Sequence, residues 1–232
     1  AYQSGAINES FSDIWGEYID LTNGRGVDST AVRWLMGEDM SSGAFRNMAN
    51  PPQFWDPDRV GSPYYYTGYA DNGGVHWNSG VINKLCYLLT DGSSFRDYMI
   101  SGMGKGSVLS LFYEVNAHLL ASTADYTDLA AALHQAAANL GWNAGDIANL
   151  HRACLAVEIL PNFVGVNTGP SPNGCRRPGI IAGGPWPTLA AGVAAVPAGD
   201  PVFVLAGSYP ERLTINKSVQ LKAHNGPFTI GR

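Results

Sequence analysis

Apolar side chains recur at helical spacing over residues 4–20, where Ile7, Phe11, Ile14, Trp15, Tyr18 and Ile19 share one side of the turn. Gly24 and Gly26 end that segment. The same period returns over 79–90, with Val81, Ile82, Leu85, Cys86 and Leu89, and then over 105–120, 126–140 and 144–158. Asp125 stands where an N-cap of the 126–140 helix belongs. Residues 23–78 show no period. They are rich in Gly, Pro, Asn and Asp, and the tract Gly61-Ser62-Pro63-Tyr64-Tyr65-Tyr66 gives them an aromatic content that argues for an ordered, functional loop.

Residues 159–188 change character, because Pro, Gly and Asn dominate there as in a linker. Beyond them the period falls to two. Val202/Val204, Leu213/Ile215, Val219/Leu221 and Phe228/Ile230 alternate in short runs broken by Gly207, Pro210 and Asn225-Gly226. This pattern resembles the opening rung of a parallel β-helix, a fold that needs several stacked repeats for stability. The expected fold is therefore mainly α: a helical domain over 1–158, a linker over 159–188, and a truncated β-rich extension over 189–232.

Composition narrows the partners. At 232 residues and 45% hydrophobic content the chain can bury a core. Charged residues make up 14%, the net charge is -5, and no basic cluster is denser than Arg176-Arg177, which argues against nucleic acid. No apolar run reaches the roughly 18 residues of a membrane span, so no membrane partner is expected. Cys86, Cys154 and Cys175 lack the spacings of a metal knuckle or a redox motif, and a Cys154–Cys175 disulfide stays open. The chain starts without Met or signal peptide and stops inside a strand-like rhythm, which makes a fragment of a longer protein the expectation.

Two stretches carry candidate chemistry. On an ideal helix Glu9 and Asp13 lie one turn apart, with Glu17 and Asp20 close to the same stripe. Taken alone, an acidic stripe opposite an apolar one is a solvated face. The run 71–80 enters the second helix through the paired glycines Gly73 and Gly74, which permit a tight turn, and it carries His76. Taken alone, a histidine near a helix start is as readily a surface group.

The wording of the two stretches adds to this. Ser4-Gly5-Ala6-Ile7-Asn8-Glu9-Ser10-Phe11-Ser12-Asp13-Ile14, followed in the right order by Asp71-Asn72-Gly73-Gly74-Val75-His76-Trp77-Asn78-Ser79-Gly80, resembles the thermolysin-like zinc metalloendopeptidases. The resemblance covers about residues 4–158 and implies the helical C-terminal domain of such a peptidase. It implies that Glu9 is a zinc ligand, with Asp13 orienting a zinc-bound imidazole behind it. It implies that His76 donates to the oxyanion of the tetrahedral intermediate while Asp71 holds its tautomer. Ala44-Phe45-Arg46-Asn47-Met48 before Asn50-Pro51-Pro52 resembles the family's substrate-carbonyl segment, which makes Arg46, together with Asn8, the implied substrate-binding residues. A calcium site is matched in part, at Asp20 and Glu38, whereas Arg33 and Leu35 replace acids beside Trp34.

The implied activity is that of a secreted, zinc-dependent endopeptidase hydrolysing peptide or protein substrates through a zinc-activated water. The His-Glu-x-x-His helix that would supply the other two ligands and the base is absent, and His76, His118, His134, His151 and His224 include no pair four apart. The chain alone is expected to be inactive, with the missing N-terminal part of the catalytic domain as its partner. Tyr2 is not given the family's oxyanion role, because it stands closer to Gly5 than the family spacing. Two other readings stay open: a non-catalytic helical binding scaffold, and the passenger of a carbohydrate-active or adhesive β-helix protein.

Overall fold

The computed structural model describes residues 2–160, 163–164, 189–195 and 201–231. The chain divides into two compact units, Ala1–Leu160 and Pro161–Arg232. The rest of the expected linker, Cys175, and with it the Cys154–Cys175 question lie outside the described residues.

The first unit is helical: α1 (Tyr2–Asn23), α2 (Asp71–Asn78), α3 (Gly80–Asp91), α4 (Lys105–Glu114), α5 (Tyr126–Asn139) and α6 (Ala144–Ala156). Its hub is α3, which is buried nearly all round, its polar Asn83, Lys84 and Thr90 included. Val81, Ile82, Leu85, Cys86, Leu88 and Leu89 are fully buried. Around them pack Ile7, Phe11, Ile14 and Tyr18 of α1, Val108, Leu111 and Phe112 of α4, Leu129 and Leu133 of α5, and Leu150 and Cys154 of α6. Phe11 and Phe112 meet edge to face with ring centroids 5.6 Å apart. Each large apolar side chain buried in this way contributes about 1.5–3 kcal/mol.

Polar ends close the helices. Asp125 accepts from the Thr127 and Asp128 amides while the Asp128 side chain accepts from the Asp125 amide, a complete capping box for α5. Asn143 caps α6 in the same sense through Gly145 and Asp146. Two short antiparallel pairs complete the unit, β1 (Leu35–Met36) with β2 (Arg46–Asn47), and β3 (Gly92–Phe95) with β4 (Tyr98–Ser101). The helix expected over 105–120 changes pitch: α4 ends at Glu114 and a π turn, Val115–Leu119, follows, with the Leu120 amide reaching back to the Val115 carbonyl at 3.0 Å. No helix among the described residues is long and apolar enough to cross a membrane.

The second unit holds α7 (Leu189–Ala195) and a parallel sheet of β5 (Phe163–Val164), β6 (Pro201–Tyr209) and β7 (Gln220–Ile230) in the order β5-β6-β7. Leu189 and Val193 of α7 cluster with Val204 and Tyr209, and Leu213, Val219, Leu221 and Ile230 pack against them. Both ends of α7 are tied: the Glu211 carboxylate accepts from the Leu189 and Ala190 amides at 2.8 and 3.0 Å, and Lys217 Nζ donates to the Ala194 carbonyl at 2.8 Å. The connection between the parallel strands β6 and β7, residues 210–219, contains no helix.

Candidate active site

The loop before α3 is shaped by four successive left-handed residues: Asp71 (φ 51), Asn72 (φ 53), Gly73 (φ 92) and Gly74 (φ 76). The two glycines have no room for a side chain, since a Cβ would lie 2.3 Å from the Tyr2 ring at Gly73 and 2.7 Å from the Tyr66 ring at Gly74. Asp71 and Asn72 adopt this conformation at a cost of about 1–2 kcal/mol each. It persists because the Ala70 carbonyl accepts from the Gly73 and Gly74 amides, and the Asn78 side chain accepts from the Tyr66 amide and donates to its carbonyl, at 2.9 Å each. The turn delivers α2 onto α1, where Gly5 lets Val75 approach.

His76 therefore faces the first turns of α1. Its Nδ1 lies 2.6 Å from Asp71 Oδ1, its amide donates to Asp71 Oδ2 at 2.8 Å, and its Nε2 is 3.4 Å from Glu9 Oε2. A carboxylate only accepts, so the neutral ring carries its proton on Nδ1 toward Asp71, and Nε2 faces the Glu9 carboxylate. Desolvation works against the Asp71 charge, but the bonds from the His76 amide and imidazole, with the charges of His76 and Arg46, hold its pKa below the ordinary value. Both reactive groups are reachable, with the His76 side chain 55% and the Glu9 side chain 32% exposed. Asn8 is exposed beside Glu9, and both line a groove of about 610 Å³ whose walls include Phe11, Val75, Asn116 and Leu120. Tyr2, set aside on spacing, lies with its ring against Gly73.

Arg46, on β2, joins the two stretches. Its Nη1 donates to Asp13 Oδ1 and Oδ2 at 2.7 and 2.9 Å, and its Nη2 donates to the His76 carbonyl at 3.0 Å. Asn83 of α3 adds a 2.7 Å bond to Asp13 Oδ2. The acidic stripe of α1 is thus not a solvated face throughout: Asp13 is 6% and Glu17 4% exposed. Side chains distant in sequence supply partners that α1 alone does not reveal. Burial raises the Asp13 pKa and Glu9 adds repulsion, while Arg46 and Asn83 oppose the rise.

Further along α1 the acids meet one another. Asp20, Asp28 and Glu38 bring one carboxylate oxygen each to within 4.8 Å. Beside them the Glu17 pKa is pushed to about 8 by burial, then by repulsion from Glu38, Asp20 and Asp28, with Arg33 opposing. Arg33 pairs with Asp91 at 3.0 Å, and Leu35 lies in β1. Sequence reasoning reached Asp20 and Glu38 but missed Asp28, which sits in a glycine-rich loop without periodic signal. It also missed Asp56, a buried acid 3.6 Å from Arg46 Nε.

An accessible carboxylate on a rigid helix, beside an imidazole that a second carboxylate orients, is an arrangement that hydrolytic metal sites use, and zinc in such sites takes three protein ligands. Glu9 is accessible and lines the groove, which fits a carboxylate ligand of such a site. This is a helical domain of the metallopeptidase class. The chain belongs to the family described as thermolysin metallopeptidase, alpha-helical domain, whose model matches residues 1–159. It is 41% identical over 148 residues to a zinc metalloproteinase of Renibacterium salmoninarum, an alignment covering 59% of this chain and 26% of that protein. It is 35% identical over 163 residues to a bacillolysin of Bacillus cereus, covering 68% and 28%. To a thermolysin of Alicyclobacillus acidocaldarius subsp. acidocaldarius it is 37% identical over 163 residues, covering 68% and 29%. The chain therefore spans less than a third of the length of these relatives.

Proposed function

We propose that this chain is the helical half of the cleft of a secreted zinc-dependent endopeptidase that hydrolyses peptide or protein substrates. The observation that carries the reading is the convergence of Glu9, His76 and Arg46, with His76 Nε2 3.4 Å from Glu9 and the His76 carbonyl accepting from Arg46. Glu9 offers its carboxylate to zinc, and Asp13 supports the ligand shell from one turn along α1. Zinc, when bound, supplies a Lewis acid that polarises the scissile carbonyl and lowers the pKa of a water. His76 donates its Nε2 proton to the oxygen that gains charge, and Asp71 keeps the imidazole in the tautomer and orientation for that donation. Arg46 and Asn8 hydrogen-bond the substrate backbone.

The groove along Asn8, Glu9 and Phe11 receives the missing N-terminal part of the catalytic domain, which brings the His-Glu-x-x-His helix. One carboxylate does not hold zinc, so the chain alone is inactive. The acidic cluster of Asp20, Asp28 and Glu38 takes calcium, whose oxygen preference it suits. The test is proteolysis by the complete parent protein. Chelator-sensitive hydrolysis that drops about a hundredfold or more on His76→Ala is expected. Proteolysis indifferent to chelators would overturn the reading.

A further inference from the structure

We infer that Asp56 is a positioning residue, whose carboxylate fixes the roll of the Arg46 guanidinium so that only its Nη2 edge is presented to the substrate. The inference rests on the proposed role of Arg46 in binding the substrate carbonyl. A guanidinium carries five N–H donors in one plane, and hydrogen bonds on its two terminal nitrogens leave the Nε corner to be held by charge. Asp13 holds Nη1 from α1. Asp56 faces the opposite corner, with its Oδ2 3.6 Å from Nε. The His76 carbonyl takes one N–H of Nη2, so the remaining N–H of that nitrogen is the donor left over.

Asp56 is placed there by construction. It follows the 3-10 turn Pro51–Phe54 and a left-handed Trp55, and its amide donates to the Pro51 carbonyl at 3.2 Å. Gly80, at the start of α3, makes the space: a Cβ there would lie 2.6 Å from the Pro57 carbonyl and 3.0 Å from Asp56 Cβ. Asp56 is only 4% exposed, and among the described residues Arg46 is its one ionic partner. A carboxyl buried at this cost and aimed at one guanidinium corner is explained by what it does to that guanidinium. Burial, with repulsion from Asp13 and attraction to Arg46, sets its pKa at about 7. The Asp56 oxygen faces Nε at 3.6 Å, an ion-pair contact longer than a hydrogen bond, and Asp56→Asn keeps an oxygen at that place.

The test is NMR of the Arg46 Nε–H in the 232-residue chain, which needs neither zinc nor proteolysis. The unmutated chain is expected to exchange this proton at least about tenfold more slowly than the exposed Arg25, as for a buried N–H held in an ion pair. Asp56→Leu removes the protection, and Asp56→Asn restores most of it. In the zinc-loaded parent, Asp56→Leu raises KM about tenfold with little change in kcat, and Asp56→Asn reverses the rise. Equal exchange at Arg46 and Arg25, or unchanged exchange in folded Asp56→Leu, overturns the positioning role. Altered exchange with unchanged KM overturns its link to substrate. A parent without proteolysis defeats the peptidase reading, and the exchange rates still decide the role of Asp56.

Discussion

The two halves of α1 carry the same pattern of acids at helical spacing and put it to different uses. In the first half, Glu9 and Asp13 meet cationic or donating partners, with Asp13 bound to Arg46 and Asn83 and Glu9 facing His76. In the second, Glu17 and Asp20 meet more acids, Asp28 and Glu38, with Arg33 as the opposing charge. The first half has its countercharges built in, and the second is left with a surplus of negative charge that a bound cation would relieve. Spacing on a helix decides which side chains share a face. Residues brought from elsewhere in the chain decide what that face does.

The largest expected effect falls on the balanced half. Arg46→Met leaves Asp13 and Asp56 buried without a countercharge, and urea unfolding should show a loss of about 3–5 kcal/mol. A loss below about 1 kcal/mol would break the comparison, since the first half would then not depend on its arginine.

The unbalanced half is predicted to respond to pH. The folded-state pKa of Glu17 is raised to about 8 from 4.5, so the folded state holds this proton more tightly than the unfolded one. Stability from this group is complete below pH 4.5 and is lost as pH rises to about 8. Glu17→Gln should remove a loss of up to about 5 kcal/mol across that window, read as the difference between variant and unmutated chain. The difference matters because His151, depressed to about 3 by burial and by the neighbouring charges of His134 and Arg152, changes stability in the opposite direction as pH falls below 6.5.

Calcium sharpens the same contrast. Millimolar calcium should stabilise the chain by about 1–3 kcal/mol, depending on how far it exceeds the dissociation constant, and Glu38→Gln or Asp28→Asn should abolish the gain. The smallest effect belongs to Glu9. Its side chain is 32% exposed and it is not among the buried core residues, so Glu9→Gln should shift stability by no more than about 0.5 kcal/mol.

Much of the helical unit was legible because its signals are local. The helical period of apolar residues in α3, the cap at Asp125 and the paired glycines before His76 act within a few residues of themselves. The resemblance carried Glu9, Asp13, Arg46, Asp71 and His76, and the structure brings these side chains into one cluster. The burial of Asp13 and Glu17 was not legible, because an amphipathic pattern describes a helix against solvent and says nothing of an arginine arriving from residue 46. Asp28 and Asp56 sit in aperiodic loops and give no pattern. The hairpin of β3 and β4 was missed because Gly92, Ser93 and Ser94 have low strand preference, and its register rests on tertiary packing of Tyr98 and Ile100.

Zinc affinity of the complete parent protein, measured by calorimetric titration before and after Glu9→Gln, tests the central claim most directly. The account predicts a fall of about a hundredfold or more, beyond what the loss of a supporting carboxylate causes, with the fold intact. Unchanged affinity in the variant would contradict it and leave Glu9 as a surface acid of a helical scaffold.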